Sequence, residues 1–585
     1  MSGRMALALF ALLLALAPLL LGEYRVIQIN YIGIAGIIAL GLVLLTGVAG
    51  VMSFGQQVFA GLAAYATAVL TTQYGASAWM GLAIGVALVA TVSLFLGAIT
   101  LRLSGHYLPI ATIAWGIAIY FVFGNMEMLG KHTGISSVPP ISIAGVRLDT
   151  PAKIYYLIWV LLLALLVACS NLLDSRTGRA MRALRSRAVM AESFGVNTTR
   201  LKAAVFLLAA LLAALSGWLY AHFLGFVSPS AFNVNTGIDY LFMIIIGGAS
   251  SVWGALVGAS ILMMLKEGLA GLLPSGPGGS GNYEAVVLGG LILLLLQRNV
   301  GGLAPVLARY ALKTRLHKLV SLSEPLARRD PPAEAMLLQV SGITKRFGGL
   351  VAVREMSFDV LRGELIGLIG PNGAGKSVMF NIISGVLPSD SGMVCYRAER
   401  IDGLSPSEIA RRGVSRTFQH VNLIGSMTVL ENVAIGAHIR GGSGMLASML
   451  HMDRAEERRL LAEAARQIER VGLTEHTHDG AGSLALGKQR LVEIARALCA
   501  DPALLLLDEP AAGLRYAEKQ ALAGLLRQLR AEGMSILLVE HDMDFLMGLA
   551  DRVVVMQFGQ LLVAGLPAQV QADPRVIEAY LGSAR

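Results

Sequence analysis

The chain has 585 residues, of which 55 % are hydrophobic and 15 % charged, with a mean hydropathy of +0.65 and a formal net charge of +9. This is too apolar for an ordinary soluble protein. Residues 1–300 hold 15 Lys/Arg and 8 Asp/Glu, against 32 and 30 in the remainder. The basic excess therefore lies in the apolar half, which argues against nucleic acid as a partner and for charge beside an anionic lipid bilayer.

From the N-terminus, Arg4 and the apolar run 5–21 read as a first transmembrane helix rather than a signal peptide. No small-x-small cleavage site follows, and the next apolar run begins almost at once. Runs long enough to cross about 30 Å of hydrocarbon recur near 31–51, 78–101, 107–124, 154–173, 201–226, 252–272 and 282–298. Two Gly/Ala-rich stretches, 54–72 and 236–250, are broken by polar residues. With them the expectation is a polytopic α-helical membrane domain of about ten spans over residues 1–300. Asp239, Lys266, Glu267 and Glu284 all fall near span ends, so no proton relay is expected.

Between 174 and 200, Arg176, Arg179, Arg182, Arg185, Arg187 and Arg200 are opposed only by Asp174 and Glu192. Such an excess marks a cytoplasmic loop, and ten spans then place both termini inside. Arg179, Arg182, Ala183 and Ser186 recur at helical spacing, and the stretch from Ala188 to Phe194 reads as a short helix closed by Gly195. The plain reading is a topology signal. The functional one is a helix that docks on a cytoplasmic partner domain through Arg182, Arg185, Ala191, Glu192 and Gly195. Further on, Gly247-Gly248-Ala249-Ser250-Ser251-Val252-Trp253-Gly254 predicts close helix packing or a broken helix lining a path, and residues 52–57 share that character. Cys169, Cys395 and Cys499 are isolated and read as buried thiols.

Residues 301–335 read as a solvated linker with Pro305, Pro325, Pro331, Pro332 and the basic Arg309, Lys313, Arg315 and Lys318. Beyond it, Gly370-Pro371-Asn372-Gly373-Ala374-Gly375-Lys376-Ser377 is a complete G-x-x-x-x-G-K-[ST] loop. The apolar run Leu365–Ile369 precedes it as a buried strand, and Val378–Ile383 can open a helix. Backbone N–H groups would cradle a triphosphate, Lys376 reach its β/γ-phosphates, and the Ser377 hydroxyl ligate Mg²⁺.

The elements around this loop fall in a fixed order. Phe347 and Val353 precede it. Arg416-Thr417-Phe418-Gln419, Leu484-Ala485-Leu486-Gly487-Lys488-Gln489-Arg490, Leu504–Glu509 and His541 follow. Residues 336–585 thus resemble an ABC-type ATPase, which implies an α/β P-loop fold. The resemblance assigns Phe347 and Val353 to the adenine side, Gln419 to Mg²⁺ and the attacking water, and Asp508 to the Mg²⁺ shell. It makes Glu509 the group that polarises water and His541 the γ-phosphate switch, with Val378 completing the ATP-binding run. ABC sites form between two subunits, so Leu484, Ala485, Leu486, Gly487 and Lys488 would face the ATP held by a partner. Ala485 stands where the pattern has Ser, and Arg515 where Asn or Asp is usual. One site is therefore expected to be complete and the other weakened.

Residues 1–300 resemble the second permease subunit of bacterial branched-chain amino acid importers, the hydrophobic amino acid uptake family, over Met52–Tyr65, Arg102–Pro109, 174–226 and Gly247–Gly258. The ATPase half resembles that system's first ATPase in Arg416–Gln419, Glu509–Leu514 and Glu578–Gly582. Its subunits are usually separate chains, whereas here permease and ATPase are fused. The resemblance implies a second permease subunit, a second ABC ATPase subunit and a periplasmic solute-binding protein, with ATP and Mg²⁺ as cofactors. The solute would be leucine, isoleucine or valine, with urea, amides or aromatic acids carried by relatives. The ATPase domain would be cytoplasmic and the spans in the inner membrane. An ABC exporter half-transporter is the competing class, but it requires about six spans with long cytoplasmic extensions; a membrane-anchored signalling ATPase is the remaining one.

Overall fold

The structure is a computed structural model and describes residues 13–103, 105, 107–272, 280–298, 301–303, 326–329 and 334–581. Residues 5–12 of the first expected span, and the linker prolines and basic cluster from Pro305 to Lys318 and at Pro325, Pro331 and Pro332, lie outside the described residues. The chain divides into two compact units: residues 1–174, 199–314 and 448–451 form one, and residues 175–198, 315–447 and 452–585 the other. The arginine-rich stretch is thus part of the same unit as the ATPase half.

The first unit is helical. It contains α1 (Glu23–Leu42), which runs on through a π-helical turn at Val43–Val48, then α2 (Gln56–Gln73), α3 (Ala78–Thr100), α4 (Tyr107–Asn125) and α5 (Pro151–Leu173). After α6 (Arg176–Ser186) and α7 (Ala188–Ser193) of the second unit come α8 (Thr198–Leu224), α9 (Val234–Gly247), α10 (Val252–Leu272) and α11 (Ser280–Arg298). Among the described residues, six helices are long and apolar enough to cross a membrane, with α9 a shorter apolar helix. These six coincide with the expected runs near 31–51, 78–101, 107–124, 154–173, 201–226 and 252–272, and the expected 282–298 run falls on α11. The stretch 54–72 is α2, an 18-residue helix that carries Gln56, Gln57 and Gln73 and is buried along most of its length, and 236–250 is the 14-residue α9.

Small residues set how these helices meet. On α3 the buried positions Gly81, Gly85, Val89, Ser93 and Gly97 recur every fourth residue, and Gly81 and Gly85 lie against Thr67 and Ala63 of α2. The large apolar side chains of α3, including Phe95 and Ile99, point outward. At the α9–α10 hairpin, a Cβ on Gly247 would lie 1.8 Å from the Gly254 carbonyl oxygen, and one on Gly258 1.8 Å from that of Met243. Backbone packs directly on backbone there, so close packing is the reading the geometry supports for this run. Asp239 on α9 accepts from Lys266 Nζ on α10 at 2.7 Å, so these two charges neutralise each other.

The second unit has two sheets. β1 (Met336–Phe347), β2 (Leu350–Leu361), β4 (Ser391–Tyr396) and β5 (Glu399–Arg400) form an antiparallel sheet in the order β2-β1-β4-β5. The other holds β3 (Leu365–Ile369), β6 (Val414–Arg416), β7 (Leu504–Asp508), β8 (Ser535–Val539), β9 (Arg552–Gln557) and β10 (Gln560–Gly565), ordered β6-β7-β8-β3-β9-β10. All its pairs are parallel except β9–β10. Strands β3, β7 and β8 are buried at all five positions, as continuous apolar runs in a covered parallel sheet must be. The helices that matter below are α12 (Lys376–Ile383), α13 (Pro406–Arg412), α14 (Val429–Ala434), α15 (Arg454–Arg470) and α16 (Leu486–Cys499).

Candidate nucleotide site and docking segment

Four adjacent parallel strands deliver the site. The carboxyl end of β6 leads to Gln419, β7 to Asp508 and Glu509, β8 to His541, and β3 to the phosphate loop. Ligand crevices lie at such strand ends in open α/β sheets. Within the loop, Gly373 and Gly375 have φ of 83° and 98°, where a side chain would be strained. A Cβ on Gly375 would also sit 2.6 Å from the Ala352 carbonyl oxygen.

Phe347, Asn372, Gly373, Ala374, Gly375, Lys376, Ser377, Val378, Gln419, Glu509 and His541 line one cavity of about 550 Å³. Gly370 and Pro371 stand behind it, their carbonyl oxygens accepting from Lys376 Nζ at 2.6 and 3.1 Å. Val353 does not reach the cavity; it is fully buried beside Gly375. Asp508 is 4 % exposed at the end of β7.

The three groups expected to act in hydrolysis, Glu509, Gln419 and His541, meet at one oxygen. Glu509 Oε1 accepts from Gln419 Nε2 at 3.1 Å and lies 2.8 Å from His541 Nε2. Glu509 itself has φ of 49°, a conformation held by its N–H bond to the Val539 carbonyl at 2.9 Å. Burial pulls the Lys376 ammonium below its ordinary range, with Glu509 and Asp508 opposing. Burial pushes the Asp508 carboxyl up, against Arg416. A hydroxyl, a buried carboxylate and an amide oxygen, from Ser377, Asp508 and Gln419, are the hard donors that Mg²⁺ prefers, and an under-compensated Asp508 fits a place beside a cation.

Several residues that shape the site carry no motif of their own. Phe558, in the turn between β9 and β10, lines the cavity at 84 % exposure with φ of 49°. Glu540 accepts from the N–H groups of Ala511 at 2.6 Å and His541 at 3.1 Å, tying together the turns that follow β7 and β8. Arg416 donates to Asn381 Oδ1 and Ser384 Oγ, and burial pulls its guanidinium down to about 10. The sequence around Gln419 contains Arg416, but nothing local shows that it braces the end of α12.

On the signature side, α16 begins at Leu486, with Ala485 as its N-cap and no side-chain cap. Ala485 and Leu486 are exposed, Gly487 is buried against Leu514 and Glu518, and Leu484 accepts from Gln489 Nε2 at 2.7 Å. Lys488 Nζ lies 2.7 Å from His476 Nε2. Arg515 donates its N–H to Glu518 at 2.8 Å. Of the cysteines, Cys169 and Cys499 are buried as expected, whereas Cys395 is only half-buried.

The segment 175–198 packs within the ATPase unit. Arg176 donates to the carbonyls of His438 and Gly441 at 2.6 Å and of Ser443 at 2.7 Å, and Arg179 pairs with Glu457 of α15, both fully buried. Arg182 lies 3.3 Å from Glu431 of α14. Ala191 is buried, Glu192 accepts from Thr198 Oγ1, and Arg185 is exposed. Gly195, at φ of 81°, fits where a Cβ would meet Ile439 Cγ2 at 1.8 Å, and its carbonyl accepts from Arg411 at 3.2 Å. Arg176 and Arg179, which the sequence did not name for docking, are thus anchors of the segment.

Comparison with known proteins places both halves. Residues 25–296 match the family described as branched-chain amino acid transport system permease component, residues 353–512 the ABC transporter family, and residues 560–585 the branched-chain amino acid ATP-binding cassette transporter family. The high-affinity branched-chain amino acid transport ATP-binding protein LivG of Escherichia coli K12 is 43 % identical over 251 residues, covering 42 % of this chain and 98 % of LivG. BraF of Pseudomonas aeruginosa, described in the same words, matches with the same identity and coverage. A solved nucleotide-free ATP-binding cassette from an ABC transporter is 33 % identical, covering 42 % of this chain and all of that one, with a TM-score of 0.39. A region similar to nearly the whole length of LivG follows a matched permease region, and the chain belongs to the branched-chain amino acid ABC transporter family, with permease and ATPase joined in one polypeptide.

Proposed function

We propose that this chain is the fused permease and ATPase subunit of an ATP-driven importer that moves branched-chain amino acids from a periplasmic solute-binding protein into the cytoplasm. The observation that carries this reading is the convergence of Gln419 and His541 on Glu509 Oε1, in a chain whose residues 25–296 match a branched-chain amino acid permease. Glu509 acts as general base on the attacking water, which Gln419 orients. Lys376 and His541 offset charge on the transferred phosphoryl group. Phe347, and Phe558 on the same cavity, offer aromatic faces to adenine. Mg²⁺, when bound, neutralises the β- and γ-phosphate oxygens, and Ser377, Asp508 and Gln419 are the residues to hold it.

A second ABC ATPase completes the two sites, the signature Leu484–Lys488 of this chain serving the ATP held by that partner. A second permease subunit completes the path. The arginines of 174–200 support a cytoplasmic place for the ATPase unit, and the bacterial plasma membrane for the spans. The docking segment couples hydrolysis to transport through Arg182, Ala191 and Gly195, with Arg176 and Arg179 as its firmest anchors.

The test is uptake of labelled leucine by membrane vesicles holding the assembled transporter. Accumulation should require both ATP and added binding protein. Uptake of urea, an amide or an aromatic acid in place of leucine would overturn the solute, and ATP-driven efflux would overturn the direction.

A further inference from the structure

Arg496, on α16, is among the largest fully buried side chains of the protein. Its guanidinium is held from three directions. Nη1 donates to the Asn422 carbonyl at 3.0 Å, Nη2 donates to Glu493 Oε1 at 3.0 Å, and the Phe194 ring lies 4.9 Å from Cζ. Glu493 Oε1 accepts in turn from the Asn422 N–H at 2.9 Å. Asn422 is three residues beyond Gln419, which donates to Glu509. The other end of α16 is the signature side, beginning at Leu486 after Ala485. One buried cation thus joins the docking segment to the loop of Gln419 and to the signature helix.

Phe194 is 1 % exposed and tightly fixed. The next residue is Gly195, wedged against Ile439 and bonded to Arg411. The turn Gly436–Arg440 that holds Ile439 is pressed onto α16, since a Cβ on Gly436 would sit 1.8 Å from the Arg496 carbonyl oxygen. A plain packing role would ask only for apolar volume beside the aliphatic part of Arg496. The guanidinium carbon over the ring asks for more: a desolvated cation is stabilised by the negative face of an aromatic, and a leucine offers none. The Glu493–Arg496 pair is not merely a brace within α16, because Nη1 leaves the helix for the Asn422 carbonyl.

We propose that Phe194 is the positioning residue through which the docking segment sets Arg496, and through it both the Gln419 loop of this chain's own ATP site and the signature helix that serves the partner ATPase. The inference rests on the importer reading only in assigning the signature helix to a second ATPase.

Steady-state ATPase kinetics of the assembled complex with its binding protein test it, with leucine uptake measured alongside. Phe194→Leu is expected to lower kcat and leucine moved per ATP by about tenfold, with KM for ATP unchanged. Phe194→Tyr, which keeps the ring face, should return both to within about twofold of wild type. Arg496→Lys keeps the charge and loses the plane; it should fall with Phe194→Leu, and the double variant should be no worse than either single one. Wild-type kcat in Phe194→Leu overturns the proposal, as does a Tyr variant no better than Leu. If Phe194→Leu fails to assemble, Arg496→Lys in assembled complex decides: wild-type kcat there overturns the proposal equally. Arg182→Glu separates the two readings. If it uncouples uptake while Phe194→Leu does not, the proposal fails and the docking reading stands; if neither does, docking fails too. Wild-type ATPase without leucine uptake would overturn the solute and leave the kinetic arms decisive for Phe194.

Discussion

The nucleotide site and the docking segment are both built from basic side chains and carboxylates, yet their charges are left in opposite conditions. Around the cavity, Glu509 is 16 % exposed and His541 45 %, and the two meet on an open face. Under the docking segment, Arg179 and Glu457 are 4 % and 1 % exposed, and Arg496 and Glu493 0 % and 1 %. The first arrangement leaves charges for a ligand to complete. The second completes them internally, so that removing one member strands the other. A substitution in the cavity should therefore change rates directly, and one at the Arg179–Glu457 pair should change whether the segment stays bound.

The sharpest break is at Glu509. Glu509→Gln keeps the hydrogen bonding of Gln419 and His541 but removes the base, so ATPase turnover of the assembled complex should fall about 10²–10⁴-fold with ATP affinity intact. Turnover within about twofold of wild type would refute the assigned role.

Next in size is Arg179→Ala, which leaves Glu457 charged and buried. The docking segment should lose about 3–5 kcal/mol, read as faster amide hydrogen exchange over residues 176–195 in the full chain, while nucleotide affinity holds. Replacing both partners by methionine should restore most of that protection. Equal exchange in Arg179→Ala would mean that the pair is not what retains the segment.

Ala485→Ser tests the weakened signature. A hydroxyl bonded to the partner's γ-phosphate is worth about 1.5–3 kcal/mol, so turnover at that site should rise roughly tenfold or more. Lys376→Ala should correspondingly remove more activity than the same change in the partner ATPase. A serine N-cap also stabilises α16 by about 1 kcal/mol. A raised melting temperature without faster turnover would thus mean capping alone.

The effect that is smallest for each step of the variable is one of pH. Burial, then Arg176, Arg179 and Arg411, push His438 down to about 3. Its imidazole is neutral in the fold and titrates near 6.5 when unfolded, so stability is complete above pH 6.5 and declines as pH falls from 6.5 toward 3. The slope approaches about 1.4 kcal/mol per pH unit at most. His438→Gln should remove this acid sensitivity from the exchange of residues 176–195.

What the sequence made legible follows what is local in the chain. The phosphate loop, the Asp508-Glu509 strand end and the Gly195 helix stop are contiguous signals, and each sits where its own residues predict. What the sequence concealed about α2 is its burial: a helix that carries Gln56, Gln57 and Gln73 is enclosed by other helices along most of its length. Phe558 was invisible as a cavity residue because only the β9–β10 turn brings it there. The arginines of α6 read both as a topology signal and as a docking helix, and nothing in their spacing shows that Arg179 is the one that meets Glu457.

The inclusion of residues 175–198 in the ATPase unit has a consequence for biosynthesis. Arg179 and Glu457 are 278 positions apart. At a synthesis rate of about 5–20 residues per second, the arginine leaves the ribosome roughly 15–55 s before its carboxylate exists. During that interval α5 and α8 can enter the bilayer, while the segment between them stays hydrated with its cations unmatched. Membrane insertion and seating of the segment are therefore separate events, and the nascent chain must keep α6 and α7 available until the cassette has folded around them.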